Sequence, residues 1–252
     1  ESELHERTRA FTIRRLKKEV MSELPDKIRQ VIDVIPTPAE KKAYKNAQAT
    51  WLNQYEMHKS SGSLPAGFVL NMLTELRHHC GILKISAAAA WVREYREVTG
   101  KPVIVFAHHK DVVSGIIDEL KDEFTLARIT GDVPAIKRQE RVEAFQEGKV
   151  DVMICSTVAA KEGLTLTAAD TVVFIEREWS PAWEEQAEDR VNRIGQDSST
   201  VHAVYLSVAG TIDEKFNAVV EEKRAVIKSV LDGGDAVERK GIASALLKAM
   251  VD

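Results

Sequence analysis

Residues 151–176 read DVMICSTVAAKEGLTLTAADTVVFIE, and two apolar runs, DVMICS at 151–156 and TVVFIE at 171–176, stand either side of a hydroxyl-bearing polar stretch. Each run has the length of a strand. Each is apolar throughout rather than at alternate positions, as strands covered on both faces of a sheet should be. Working outward, runs of the same kind recur as PVIVFA (102–107), LARI (126–129) and VHAVYLSV (201–208), separated by segments with a helical period. The alternation predicts βαβ units, and therefore an α/β fold with a parallel sheet flanked by helices. In open sheets of this kind ligands collect beyond the carboxyl ends of the strands. The loops of interest therefore start near Ala107, Thr130, Ser156 and Glu176.

The remainder of the chain is arranged around that core. Before Gly100, ERTRAFTIRRLKKEVMSEL reads as a basic amphipathic helix closed by Pro25, and KIRQVIDVI reads as a strand. A helix follows over TPAEKKAYKNAQATWLNQYEMHK with Thr37 as its cap. The SSGSLPAG break at 60–67 then leads to two helices, from about Phe68 to Cys80 and from about Lys84 to Val98. After Gly210, TIDEKFNAVVEEKRAVIKSVL is a long amphipathic helix, and GGD leads into a short last helix.

Composition limits what such a molecule can do. With 252 residues, 44% hydrophobic and 29% charged, the chain is long enough to bury a real core. Its formal charge of -4 and pI near 6.0 exclude a bulk positive field, so any nucleic-acid contact must come from a local patch or from backbone amides. The two cysteines, Cys80 and Cys155, are far apart, which suits reduced thiols in a cytoplasmic or nuclear protein that is not secreted. The longest apolar stretches are strand-sized and the start ESELHERTRA is charged, so neither a membrane span nor a secretory signal is expected. His78, His79 and Cys80 are adjacent, and successive helical residues point about 100° apart, so they cannot jointly ligate one ion and no metal site is expected.

The strand-end loops carry residues suited to phosphate. AHHK (107–110) brings His109 and Lys110, ITGD (129–132) brings Thr130 and Gly131, and STVAAKEGL (156–164) brings Ser156 and Thr157 to a helix N-terminus. Taken singly, each is as well explained by a turn or a plain helix cap. REWSP (177–181) exposes Trp179, a residue that in such a place packs more often than it stacks. The segment QAEDRVNRIGQ (186–196) is more specific. Read as one helix stopped by Gly195, it sets Gln186, Arg190 and Arg193 in one stripe and Trp183, Ala187, Val191 and Ile194 in a packing stripe a quarter turn away. Arginine's planar fork matches phosphate oxygens bidentately. The bland alternative is that both arginines pair with Glu185, Glu188 or Asp189 on a solvated surface.

Order and spacing of all these segments decide between the two. RRLKKEVMSELPDKI, LRHHCGILK, KPVIVFAHHK, ITGD with Arg138 following, STVAAKEGLTLTAADTVVFIEREWSP, QAEDRVNRIGQ and the helix after GTIDE together resemble the C-terminal motor lobe of the Swi/Snf-type ATP-dependent DNA translocases of helicase superfamily two. AHHK and Glu176 look most like the annealing-helicase branch; Lys161-Glu162 and Ser180 depart from the family's usual glycine and asparagine. The resemblance implies a RecA-like parallel sheet, a P-loop NTPase-like fold without its own P-loop, over residues 100–209. It also implies a helical linker or protrusion segment over 1–99 and C-terminal brace helices over 210–252.

For function, the resemblance implies that this lobe supplies Arg190 and Arg193 as arginine fingers, with Gln186 and Gly163 also at the ATP. DNA-backbone contacts would come from His109, Lys110, Thr130, Gly131, Ser156, Thr157 and Trp179. Mg2+ and most of the ATP contacts would belong to an N-terminal RecA-like lobe of the same polypeptide, the partner being double-stranded or branched DNA and the protein a monomer. The chain's Gly100-Lys101 pair has Tyr95 and Pro102 where a P-loop needs glycine and a hydroxyl, and no DExH run follows an apolar strand. The chain by itself is therefore expected to be one part of a larger motor, to hydrolyse no ATP and to bind DNA weakly. An ATP-independent scaffold lobe and an RNA-helicase lobe are the alternatives.

Overall fold

The computed structural model describes residues 21, 23–157, 163–232 and 246–247. Three sequence expectations lie wholly or largely outside these residues: the basic N-terminal helix, the helix after Thr157 with Lys161-Glu162, and the short last helix.

The front strand is β1 (Asp26–Val34), followed by α1 (Pro38–Ser60), α2 (Phe68–Leu83) and α3 (Ile85–Thr99). The alternating part supplies β2 (Val103–Ala107), α4 (Lys110–Leu120), β3 (Leu126–Ile129), α5 (Ala135–Gln146), β4 (Val152–Ser156), β5 (Thr171–Phe174), α6 (Pro181–Glu188) and β6 (Thr200–Val208). Helix α7 (Ile212–Asp232) closes the series. Thr37 caps α1 as its sequence requires: the hydroxyl accepts from the Glu40 amide at 3.3 Å while the Glu40 carboxylate accepts from the Thr37 amide at 2.8 Å.

Six strands form one sheet in the order β1-β6-β5-β2-β4-β3, and every pairing is parallel. This is the RecA-like sheet with flanking helices. Successive side chains leave opposite faces. Ile104, Phe106, Met153, Cys155, Val172, Phe174, Ala203 and Tyr205 pack on one face with α5 and α6, through Phe145 and Ala187. Val103, Val105, Val152, Ile154, Val173, Val204 and Leu206 pack on the other with α3 and α4, through Ala89, Val92, Val112 and Ile116. Burial on both faces explains why the runs are apolar throughout. On the first face the rings of Phe106, Phe174 and Tyr205 stack at centroid distances of 5.1 and 4.7 Å, adding cross-strand contacts to the burial.

A third cluster joins α1, α2 and α7 through Tyr44, Leu73, Leu76, Ile212 and Phe216. The front segment is also tied to the sheet itself, because β1 pairs with β6 from Asp26↔Thr200 to Val34↔Val208 and α3 contributes Ala88, Ala89 and Val92 to the core. Both cysteines are buried and free, and burial pushes the Cys155 thiol up to about 12, which leaves it inert.

One helix is shorter than its sequence pattern. The continuous helix expected from Pro181 to Gly195 ends at Glu188, and residues 189–195 are turns and bends. The Arg190 amide bonds to the Ala187 carbonyl at 3.1 Å and the Val191 amide to the Glu188 carbonyl at 3.2 Å, three residues back instead of four. The Asn192 amide still reaches the Glu188 carbonyl at 3.2 Å, and the Arg190 carbonyl, past the helix end, accepts from the Leu166 amide at 3.0 Å. The packing stripe divides accordingly. Ala187 and Val191 are buried, whereas Trp183 and Ile194 are 40% and 69% exposed.

Candidate functional site

Because β3, β4, β2 and β5 are neighbours, the loops after them form a row along the carboxyl edge of the sheet. Topology thus brings Thr130 and Gly131, Ser156 and Thr157, His108 to Lys110, and Glu176 to Trp179 together. At the centre of the row is Glu176, a residue that motif reading did not place in the site. Its carboxylate accepts from the His108 amide at 2.7 Å, the His109 amide at 2.9 Å and, at 2.5 Å, pairs with His109 Nδ1. Burial alone would raise this carboxyl, but the His109 imidazole and the two amides outweigh it and hold Glu176 down at about 2. The N-terminus of α4, an anion site by its backbone, is therefore filled from within the protein.

Two residues on, Glu178 faces His108 Nδ1 at 2.9 Å, and Thr157 Oγ1 is 3.2 Å from the same nitrogen. The hydrogen bond to Glu178 raises the His108 pKa. Three loops are cross-linked by one imidazole. Helix α2 joins them from outside: His78 Nε2 lies 2.7 Å from Asp111 Oδ2, and its ring stacks on that of His109 at 4.2 Å. A Cβ at Gly81 would sit 2.7 Å from Glu176 Oε1, so the close approach of α2 to this carboxylate demands glycine there. The signal for this network in the sequence was Glu176 and Glu178 at spacing two, which in extended chain puts both carboxylates on one side of the strand end.

The residues proposed to touch DNA are not alike in this setting. Lys110 and Gly131 are exposed, Thr130 and Ser156 are half-buried, and Thr157 is buried. Thr130 Oγ1 donates to Asp132 at 2.5 Å and the Gly131 carbonyl accepts from Arg138 at 3.2 Å. His109 is half-buried, its amide and Nδ1 both engaged by Glu176. Trp179 is packed: its ring meets Phe216 edge-on at 4.8 Å and lies 4.9 Å from the Arg77 guanidinium, while Lys223 holds its carbonyl at 2.7 Å. Arg77 donates to the Arg177 carbonyl, and its guanidinium pKa is lowered by burial.

Arg190 and Arg193 lie elsewhere, on the turn after α6. Arg190 is 7% exposed rather than standing free on a helix surface. Its pKa is lowered first by burial and then by the like charge of Arg193, so the turn holds the two guanidiniums within electrostatic reach. Arg193 Nε donates to the Asp189 carbonyl at 3.2 Å and its Nη1 to Thr165 Oγ1 at 2.8 Å. Gln196 pins the far end of the turn, its Nε2 reaching the Ala169 carbonyl at 2.8 Å and that of Val191 at 3.1 Å. Gly195, at φ +92°, takes a left-handed conformation that closes the turn. A shallow cleft beside it is lined by Met21, Leu24, Thr165, Asn192, Arg193 and Ile194. Gly163 and Gln186 are exposed. The acidic residues read as alternative partners are engaged from β1: Glu188 by Lys27 and Arg29, Asp189 by Lys27.

Six parallel strands with helices on both faces define a RecA-like lobe. Comparisons with known proteins agree: residues 1–84 match the SNF2-related domain and residues 86–195 match the helicase conserved C-terminal domain. The chain belongs to the SNF2-related helicase family. It is 36% identical over 234 residues to the mouse (Mus musculus) DNA annealing helicase and endonuclease ZRANB3, an alignment covering 92% of this chain and 22% of that protein. The chain thus spans about a fifth of the length of such relatives. Among solved structures, the C-terminal part of the Fun30 ATPase domain superposes with a TM-score of 0.72 at 18% identity, covering 90% of this chain and 97% of that one. The Sulfolobus solfataricus SWI2/SNF2 ATPase core in complex with dsDNA does so at 0.66 and 25% identity, covering 92% and 52%.

Proposed function

We propose that this chain is the second motor lobe of an ATP-dependent translocase acting on double-stranded or branched DNA. Arg190 and Arg193 serve as arginine fingers in ATP hydrolysis, and the observation that carries this reading is the turn 189–195, which sets Arg193 on the lining of an open cleft and within electrostatic reach of Arg190. Asp189 offsets part of the repulsion that Arg193 exerts on Arg190, and a transferring γ-phosphoryl group is an anion that would relieve the rest. Its transition state needs charge stabilisation more than covalent chemistry. Gln186 and Gly163, both exposed, would contact the nucleotide. Trp183 and Ile194, exposed next to the arginines, suit the first lobe closing over them.

In this reading Mg2+ and the phosphate-binding loop belong to the N-terminal lobe of the same polypeptide. The carboxyl-edge row meets the DNA backbone, with Lys110, Thr130, Gly131, Ser156 and Thr157 as the contacts, His109 beside them and Trp179 as support rather than a stacking surface. That a SWI2/SNF2 core of this fold has been captured on dsDNA supports the choice of partner. Removal of the last phosphate would take away the partner of both arginines and let the lobes part.

The test compares the full two-lobe protein with this chain alone in a phosphate-release assay, with and without double-stranded DNA. The full protein should show DNA-stimulated turnover and the isolated chain none. Turnover by the isolated chain above a buffer control would refute the division of labour between lobes.

A further inference from the structure

The arginine turn is held from an unexpected direction. Glu188, the last residue of α6, has a side chain with no exposure at all. A carboxylate there is disfavoured twice, by burial and by the partial negative charge of the helix C-terminus. It is nevertheless surrounded by donors. Arg29 grips it through Nε at 2.7 Å and Nη2 at 2.6 Å, Lys27 Nζ reaches it at 2.9 Å, and the Tyr205 hydroxyl donates at 2.5 Å. Burial pushes the Glu188 pKa up, but Arg29 and Lys27 overcome this and bring it to about 2.

Both cations come from β1, 159 and 161 residues away along the chain. They stand at i and i+2, on one side of the strand, and Arg29 lies opposite Ala203 of the face that α6 covers. Lys27 also takes the next residue, Asp189 Oδ1, at 2.9 Å. The Asp189 carbonyl in turn holds Arg193 Nε at 3.2 Å, and Arg190 follows directly. A buried ion pair of this kind adds little net stability, since an apolar replacement of both partners is often neutral or better. What it does fix is position.

We propose that Lys27 and Arg29 form a clamp that sets where the turn 189–195 sits, making Lys27, Arg29 and Glu188 positioning residues for the ATPase reaction. The inference rests on the reading of Arg190 and Arg193 as fingers. It adds that β1 is mechanically tied to them, so that a displacement of β1 would reach the arginines through the ion pairs of Lys27 and Arg29 with Glu188 and Asp189.

The experiment uses the full two-lobe protein with four variants: Glu188→Gln, Lys27→Met, the apolar double variant Arg29→Met with Glu188→Leu, and Arg193→Ala as reference. DNA-stimulated ATP turnover, thermal midpoint and hydrogen exchange of the amides of residues 189–195 are measured on each. Misplacing a catalytic group slightly can cost up to about a hundredfold. We therefore expect Glu188→Gln and Lys27→Met to lower kcat by roughly ten- to a hundredfold, with KM for ATP nearly unchanged and faster exchange confined to 189–195. The apolar double variant should keep the thermal midpoint and still lose turnover. Unchanged exchange in 189–195 would overturn the clamp, and so would turnover that followed stability and returned in the double variant. If Arg193→Ala kept full turnover while exchange in the clamp variants rose as expected, the finger reading would be what failed, and with it the catalytic role of the clamp.

Discussion

The carboxyl-edge row and the arginine turn both gather charge, but they treat it in opposite ways. Among the described residues of the row, each central carboxylate is bonded: Glu176 by His109 and two amides, Glu178 by His108, Asp111 by His78. In the turn, Glu188 and Asp189 are paired from β1, Arg190 feels both the like charge of Arg193 and the opposite charge of Asp189, and Arg193 is held by the Thr165 hydroxyl and the Asp189 carbonyl. A saturated network makes a rigid, pre-set surface, suited to a ligand that slides past it, such as a repeating backbone. A pair of crowded guanidiniums makes a place whose energy falls when an anion arrives. Under the proposed function, the row would hold the DNA backbone and the turn would respond to the nucleotide.

The largest effect expected from this contrast lies in the turn. In the full two-lobe protein, Arg190→Ala and Arg193→Ala should each cut DNA-stimulated turnover by about 10³-fold or more. Arg193→Ala should change unfolding free energy by no more than about 1 kcal/mol. Arg190→Ala should cost somewhat more, about 1–3 kcal/mol, because its buried stem packs the turn. Lysine should rescue poorly at either position. Stability that collapsed in step with turnover would erase the contrast and make the pair structural.

The row should instead reveal itself in pH dependence. Glu176 is depressed from 4.5 to about 2 in the folded chain. A depressed carboxyl contributes stability that is present above its unfolded value and is lost as pH falls from about 4.5 toward 2, here worth about 3 kcal/mol. His108 is raised, so its contribution is present below its unfolded value and fades as pH rises through the folded one. Urea unfolding of the isolated lobe against pH should show a shallower acid limb for Glu176→Gln than for the wild type. Parallel limbs would mean that Glu176 is not the charge that pins the loops.

A smaller effect sharpens the same point by sterics. Gly81→Ala puts a methyl where Glu176 Oε1 now lies and should destabilise the lobe by about 1–3 kcal/mol, with the Glu176 acid limb flattened as the carboxylate is pushed from its amides. Thermal melts at pH 7 and pH 4 would check it, and a loss equal at both pH values would leave the carboxylate out of the account. The smallest effect concerns Lys110, exposed at the start of α4. Lys110→Ala should reduce the slope of log affinity against log salt for double-stranded DNA by about 0.9, one phosphate's worth, without altering sequence preference. No change in slope would remove Lys110 from the DNA contacts.

The sequence by itself determined the order of the elements and the class of the fold. Strand runs apolar on both faces can satisfy themselves only between layers of helices, and Thr37 followed by Glu40 starts a helix wherever it lies, because both effects are local and periodic. It also determined the family, through motifs whose spacing is read without coordinates. Tertiary structure alone decided where α6 stops, that Arg190 is covered, that Trp179 packs on Phe216 and that Glu176 fills the N-terminus of α4. The reason is range: Glu188 meets Lys27 across 161 residues and Glu176 meets His109 across 67, and a helical wheel drawn for residues 181–195 contains neither partner. A pattern of short period can say which side of an element faces the core, but only the assembled sheet brings a distant cation to the carboxylate at the end of a helix.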